Sequence, residues 1–249
     1  MSRILPPVLL FDLDDTIVRF STGQPNFWQL ALESHVPQLA EHHPRLCALI
    51  EAAGDEYWRD PERAFRGRQD MYAARRFVAR AVLEAEGLSL ELCQRFADDV
   101  TDRKEAYVQP FEGAVETLQV LRDRGHRLAL LTNGSALFQR RKLERYALEP
   151  FFELILIEGE LGYGKPDRRV FQAALDFFAI TPDSAWMIGD NLSADIAGAQ
   201  QLGIDGIWHD PSRRGLPERP PAVPLRIIRQ LSELLELEGL QAKDGGASV

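Results

Sequence analysis

The sequence predicts an α/β fold: a parallel sheet of five or more strands with helices on both faces, interrupted by an inserted all-helical domain. Three observations predict it. Short apolar runs, VLLF at 8–11, LALL at 128–131, LILI at 154–157, AWMI at 185–188 and DGIW at 205–208, have the length and continuity of buried strands. Helical patterns separate the later runs, and strand–helix alternation implies crossover connections and parallel pairing. Residues 17–106, between the first two runs, contain helical stretches and no convincing strand. This assigns 1–16 and 107–249 to one α/β domain and 17–106 to a helical one.

The elements follow in order. VLLF is continuously apolar and ends at Asp12. FSTGQPNF, 20–27, reads as a flexible link into the insert, where MYAARRFVARAVLEAEG and ELCQRFADDVTDRKEAY read as helices. His42–His43–Pro44 reads as a loop rather than a metal motif. In GAVETLQVLRDRG, Ala114, Leu118 and Leu121 share a face and Gly125 is a stop. In RRVFQAALDFF, Val170, Phe171, Ala174, Leu175 and Phe178 form one apolar stripe. SADIAGAQQLG predicts a helix capped by Ser193 and stopped at Gly203. The five prolines of 209–224 mark an extended surface loop. Ile227, Ile228, Leu231, Leu234 and Leu235 then stand at helical spacing, and the tail QAKDGGASV reads as mobile.

Composition narrows the function. With 45% hydrophobic residues in 249, the chain can bury one sizeable core and a smaller one. Lys and Arg number 29 against 38 Asp and Glu, a formal charge of −9 that repels nucleic-acid backbones. Cys47 and Cys93 lie far apart without metal-ligand spacing, which fits a reduced compartment. The start MSRILPPVLLFD is a poor signal peptide, and no run reaches the ~18 apolar residues of a membrane span. The expectation is a cytoplasmic monomer or homodimer with a small-molecule substrate, no nucleic-acid partner and no membrane.

Chemistry-bearing residues gather after the strands. Asp12, Asp14 and Asp15 follow the first run directly, although like charges this close repel. Thr132, Asn133, Gly134 and Ser135 follow the second, Lys165 within GYGKPD the third, and Gly189, Asp190 and Asn191 the fourth, with Asp195 in the next helix's first turn. Ligands of open parallel sheets bind at the carboxyl ends of the strands. A lone D-x-D is usually a turn, a lone Lys is usually solvated, and an acid in a first helical turn complements the dipole. Several such groups, each at a strand end, make separate coincidences a poor explanation.

The order DLDDT (12–16), LLTNG (130–134), GKPD (164–167), GDNLSAD (189–195) resembles the haloacid dehalogenase-like hydrolase superfamily over the α/β part, and the insert resembles that family's helical cap in position and composition. The resemblance implies a Rossmann-like core and hydrolysis of a phosphate ester through an aspartyl-phosphate. By resemblance, Asp12 is the nucleophile and a Mg²⁺ ligand, Asp14 gives its main-chain carbonyl to the metal and its side chain to acid–base work, and Asp190 gives a carboxylate. Asp195 would act behind them, on a metal-bound water or on Lys165. Thr132 and Asn133 would bind the phosphate, and Lys165 would neutralise charge there. Mg²⁺ suits this role because it prefers oxygen ligands and can bridge carboxylate to phosphate. Many relatives carry Gly where Asp15 stands, so Asp15 is either a turn acid or a functional one.

Within the insert, residues 59–80 hold seven Arg against three acids. Arg66, Arg68, Arg75 and Arg76 are the substrate-binding candidates, against the plainer alternative of a solvated face with i,i+4 pairs. Tyr57, Trp58 and Phe65 could stack on a base or sugar, or form the insert's own core. The expected activity is a Mg²⁺-dependent phosphomonoesterase acting on a small phosphorylated metabolite, such as a nucleotide 5′-phosphate or sugar phosphate. The alternatives are a phosphosugar mutase or phosphotransferase, a haloacid dehalogenase (whose chemistry has no use for an acid at position 14), a receiver-like signalling domain and a non-catalytic binding protein. The receiver is disfavoured by length and by Lys165 preceding Asp190.

Overall fold

The structure, a computed structural model, describes residues 5–237; the expected mobile tail at 241–249 lies outside them. The strands are β1 (Val8–Phe11), β2 (Val18–Arg19), β3 (Gln109–Pro110), β4 (Arg127–Thr132), β5 (Leu154–Ile157), β6 (Ala185–Gly189), β7 (Asp205–His209) and β8 (Arg226–Ile228). Six of them form one parallel sheet in the order β5-β4-β1-β6-β7-β8. β1 lies centrally, with β4 on one side and β6 on the other, so connections diverge from it in opposite directions. That reversal leaves a crevice at the strands' carboxyl ends. β2 and β3 pair antiparallel as a separate short ladder.

The chain divides into two compact units, residues up to 22 with 109 onward, and residues 23–108. The boundaries lie somewhat beyond 16 and 106. Two features keep residues 17–22 with the α/β unit: the β2–β3 ladder and the turn that Asp15 stabilises by accepting main-chain N–H bonds from Phe20, Ser21 and Thr22 at 3.1, 2.9 and 2.9 Å.

The helical unit contains α1 (Phe27–His35), α2 (His43–Arg59), α3 (Pro61–Gln69), α4 (Met71–Leu83) and α5 (Leu90–Tyr107). Side chains of Asn26, Asp60, Asp70 and Ser89 accept from the first-turn N–H groups of α1, α3, α4 and α5. His43 and Pro44 open α2 instead of a loop, since Pro is tolerated in a first helical turn. The helices meet on Leu32, Leu46, Ile50, Val78, Leu83 and Phe96, all buried. Burial of Phe96 alone is worth about 1.5–3 kcal/mol.

In the α/β unit, α6 (Ala114–Asp123), α7 (Ala136–Arg145), α8 (Glu158–Leu161), α9 (Arg168–Phe178) and α10 (Gly198–Gln200) lie between strands, and α11 (Leu234–Leu237) follows the last one. Val8 and Leu10 of β1, Ala129 and Leu131 of β4 and Met187 of β6 share one face of the sheet by two-residue alternation and pack on the apolar stripe of α9.

Two further sequence expectations are corrected. The final helix does not begin at Ile227: Arg226–Ile228 is β8, paired in parallel with Ile207–His209, and a short 3₁₀ turn at Leu231–Glu233 precedes α11. Two adjacent β-branched residues satisfy an edge strand as well as a helical spacing, and the free edge of β7 decides. The helix expected at Ser193 starts instead at Asn191, whose Oδ1 accepts from Ser193 N and Ala194 N, and it opens with a π-helical turn over Leu192–Ala197. No helix of the described residues is long and apolar enough to cross a membrane.

Candidate active site

The central strands deliver acids to one rim. Asp12 follows the last residue of β1, and its N–H donates to Ile188 O of β6 at 2.9 Å, which continues the ladder one residue past the strand. Asp190 follows β6, Thr132 ends β4, and Asp195 lies one turn into the helix after β6.

The structure brings Asp12, Asp190 and Asp195 together, each offering a carboxylate oxygen within 4.8 Å of the others. Between two of them lies Lys165, with Nζ 2.5 Å from Asp12 Oδ1 and 2.6 Å from Asp195 Oδ1. All four side chains are buried or nearly so. Burial pushes the Asp12 carboxyl up to about 7, against the opposing pull of the Lys165 charge. Burial and then the Asp12 charge push Asp190 up to about 9. Burial works against the Lys165 ammonium, but Asp12 and Asp195 outweigh it and hold its pKa above the usual lysine value. Fully ionised, three carboxylates around one ammonium would carry uncompensated negative charge, which a bound cation would offset, and the donors are all hard oxygens. The set fits a Mg²⁺-like cation.

Main-chain clasps place these groups. Asn133 Nδ2 donates to Lys165 O at 2.7 Å, while Lys165 N donates to Asn133 Oδ1 at 2.8 Å. The amide expected to bind substrate is thereby occupied in holding Lys165, whose bond to Pro166 is cis. Asp195 Oδ2 accepts from Asn191 N at 2.9 Å. Gly189 admits this close approach, because a Cβ there would overlap the Asp195 carboxylate; a Cβ at Gly164 would likewise strike Asn133 and Glu158.

Asp14 stands apart from the acidic cluster. Its carboxylate takes Lys142 Nζ at 2.8 and 2.9 Å and Gln139 Nε2 at 3.0 Å, both from α7. Gln139 Nε2 also donates to Thr132 Oγ1 at 2.6 Å. Sequence reasoning missed Gln139 and Lys142. It also missed Glu158, buried beside the same loop, whose Oε2 accepts from Gly134 N at 2.9 Å. The one legible signal was the i,i+3 spacing of Gln139 and Lys142, which puts two polar groups on one helix face.

Asp15 adopts φ 59°, the left-handed conformation that Gly enters most easily, and its carboxylate is spent on the 20–22 turn. Its turn reading therefore holds. His209 Nδ1 lies 2.9 Å from Asp15 O on the other side. Next to Asp190 opens a cavity of about 520 Å³, bordered by Ser193, Trp208, Arg214 and Leu216.

The four candidate arginines belong to the helical unit. Arg66 pairs with Glu62 four residues before it at 2.5 Å, the solvated i,i+4 arrangement, and Arg76 binds Asp98 through two nitrogens at 2.6 and 2.7 Å. Arg68 is partly buried. Arg75 is buried, with Nη1 lacking a hydrogen-bond partner, and burial lowers its pKa to about 10. Tyr57 is buried and packs edge-on against Trp58, while Phe65 is partly buried, so Tyr57 at least belongs to the unit's own core.

Comparison with known proteins agrees with this geometry. A family model described as haloacid dehalogenase-like hydrolase matches residues 6–203. The phosphoserine phosphatase of Thermus thermophilus is 40% identical over 164 residues, 66% of this chain and 64% of that protein, so the match spans just under two thirds of that relative. The glyceraldehyde 3-phosphate phosphatase of Pyrococcus abyssi is 28% identical over 210 residues, 81% of this chain and 80% of that one. Among solved structures, the HAD-hydrolase YfnB of Bacillus subtilis, bound to magnesium, superposes with a TM-score of 0.67 at 25% identity, covering 95% of this chain and 99% of that one.

Proposed function

The chain belongs to the haloacid dehalogenase-like hydrolases, and from that premise we propose that it is a Mg²⁺-dependent phosphomonoesterase acting on a small phosphorylated metabolite. Asp12 attacks phosphorus, the ester P–O bond breaks, and Asp14 gives the leaving oxygen its proton. The same carboxylate then takes a proton from the water that hydrolyses the aspartyl-phosphate. Lys165 balances charge at Asp12, and the Thr132 hydroxyl donates to a phosphoryl oxygen. The carboxylates of Asp12 and Asp190, with the Asp14 main-chain carbonyl, would hold Mg²⁺, and Asp195 supports them through Lys165. When bound, the cation offsets the charge that sets carboxylate and phosphate apart.

The observation that carries this reading is Asp14, a second carboxylate two residues from Asp12 with its own cationic partner. Halide displacement produces no alkoxide to protonate and has no task for it. The named activities of the two curated relatives, both phosphatases of small metabolites, point the same way.

The test is release of inorganic phosphate from p-nitrophenyl phosphate and a panel of phosphorylated metabolites, including phosphoserine, triose phosphates and nucleoside 5′-monophosphates. Asp12→Asn serves as control, with turnover expected to fall by more than ~10³-fold and the circular dichroism spectrum unchanged. Absence of phosphate release across the panel, with chloride release from 2-haloacids instead, would replace the reading with dehalogenation.

A further inference from the structure

We propose that Lys142 and Gln139 are positioning residues that hold the Asp14 carboxylate in its proton-transferring orientation. The proposal rests on the phosphatase reading above.

Lys142 is 4% exposed and Gln139 1%, so both polar heads lie inside the protein. The Lys142 ammonium has three N–H donors, and three acceptors surround it: Asp14 Oδ1 at 2.8 Å, Asp14 Oδ2 at 2.9 Å and Gln139 Oε1 at 2.9 Å. The Phe20 ring covers it at 4.2 Å. An ammonium touching both oxygens of one carboxylate holds that group in place. Gln139 completes the fixation, since its Nε2 lies 3.0 Å from Asp14 Oδ2 and 2.6 Å from Thr132 Oγ1. The loop after β1 and the end of β4 thus share one amide.

Stability alone is a poor reason for this arrangement. Burying an ammonium is expensive even when paired, and apolar residues of similar volume often serve a core as well or better. Function supplies a reason. As the P–O bond breaks, its electron pair goes to the leaving oxygen. Asp14 must face that oxygen to give it the proton taken from the hydrolytic water of the preceding turnover. Then, as the carboxylate that Lys142 and Gln139 hold here, it must face the next attacking water. A carboxylate free to rotate would spend most of its time elsewhere.

The experiment measures kcat and KM of wild type, Lys142→Met, Lys142→Arg and Gln139→Met on p-nitrophenyl, phenyl and p-methoxyphenyl phosphate. p-Nitrophenolate leaves with little help, whereas the other two need a proton. For Lys142→Met, kcat should fall at least ~10-fold on p-methoxyphenyl phosphate and less than ~3-fold on p-nitrophenyl phosphate, with KM nearly constant, a fraction of the 10²–10⁴ that acid catalysis contributes. Lys142→Arg should recover much of the loss. In an Asp14→Asn background, Lys142→Met should cost nothing further, because the lysine acts only through that carboxylate. Gln139→Met retains the Lys142 charge and should show the same leaving-group dependence, which covers the case of a poorly folded lysine variant. Equal losses on all three esters, or additive losses in the Asp14→Asn background, would overturn the positioning role. Lack of turnover by wild type on every ester would overturn the phosphatase reading and the proposal with it.

Discussion

The side chain of Asn133 grips the main chain of Lys165 at both of its polar atoms, accepting from N at 2.8 Å and donating to O at 2.7 Å. Two loops far apart in sequence are thereby locked in register, and the ammonium of Lys165 is set between Asp12 and Asp195. Asn133→Ala should lower kcat by about 10²-fold, the usual cost of displacing a reacting group by an ångström. It should also lower stability by about 1–3 kcal/mol, because the N–H and C=O of Lys165 lose their partner. Steady-state kinetics on p-nitrophenyl phosphate with a parallel thermal melt checks this; wild-type kcat in the variant would show that Lys165 needs no clasp.

Removing divalent cations should stop turnover and return of Mg²⁺ should restore it. The same cation should stabilise the fold, because it offsets the burial penalty and the mutual repulsion of the Asp12 and Asp190 carboxylates. At a hundred times its dissociation constant the gain is about 2.7 kcal/mol. Differential scanning calorimetry with and without Mg²⁺ reads it, and Asp190→Asn should shrink the increment.

Gly189→Ala should be destabilising by about 1–3 kcal/mol, the range for overpacking, because the added methyl overlaps the Asp195 carboxylate. The displaced Asp195 would also release Lys165, so activity should fall more steeply than the melting temperature. Chemical denaturation alongside kinetics separates the two effects.

Asp210 supplies an acid-side pH dependence. Burial works to raise its pKa, but N–H groups of Gly215 and Arg214 and the Arg229 guanidinium outweigh it and hold the carboxyl below its ordinary value. A depressed folded pKa stabilises the protein above the unfolded value of about 3.9 and loses that contribution as pH falls through the folded one. Asp210→Asn should therefore cost about 2 kcal/mol at pH 7, and the gap to wild type should close as pH drops from 5 towards 3. Thermal melts across that range measure it; a constant gap would remove Asp210 from the acid limb.

The legible part of this molecule was what the chain encodes locally. Five of the six sheet strands announce themselves as continuous apolar runs, and Asp12, Thr132, Lys165 and Asp190 announce themselves by following, directly or shortly after, four of those runs. What escaped was decided by tertiary partners. Lys142 sits in FQRRKLER, where its i,i+3 spacing from Gln139 does not by itself separate the buried cation from its more exposed neighbours until Asp14 arrives from 128 residues away. Ile227 and Ile228 fit two periodicities, and only the edge of β7 selects one. Asn191 and Ser193 are both good caps, and the choice follows from where β6 ends.

The short ladder of Val18–Arg19 with Gln109–Pro110 has an architectural consequence. It brings the chain's exit and return side by side within the α/β unit, so that to this unit whatever is spliced between them is a loop whose ends already meet. Closing such a loop grows more costly only with the logarithm of its length, about 0.6 kcal/mol per doubling. The splice point is a socket: to the α/β unit, a longer or shorter insert changes only the length of a loop whose ends are already paired.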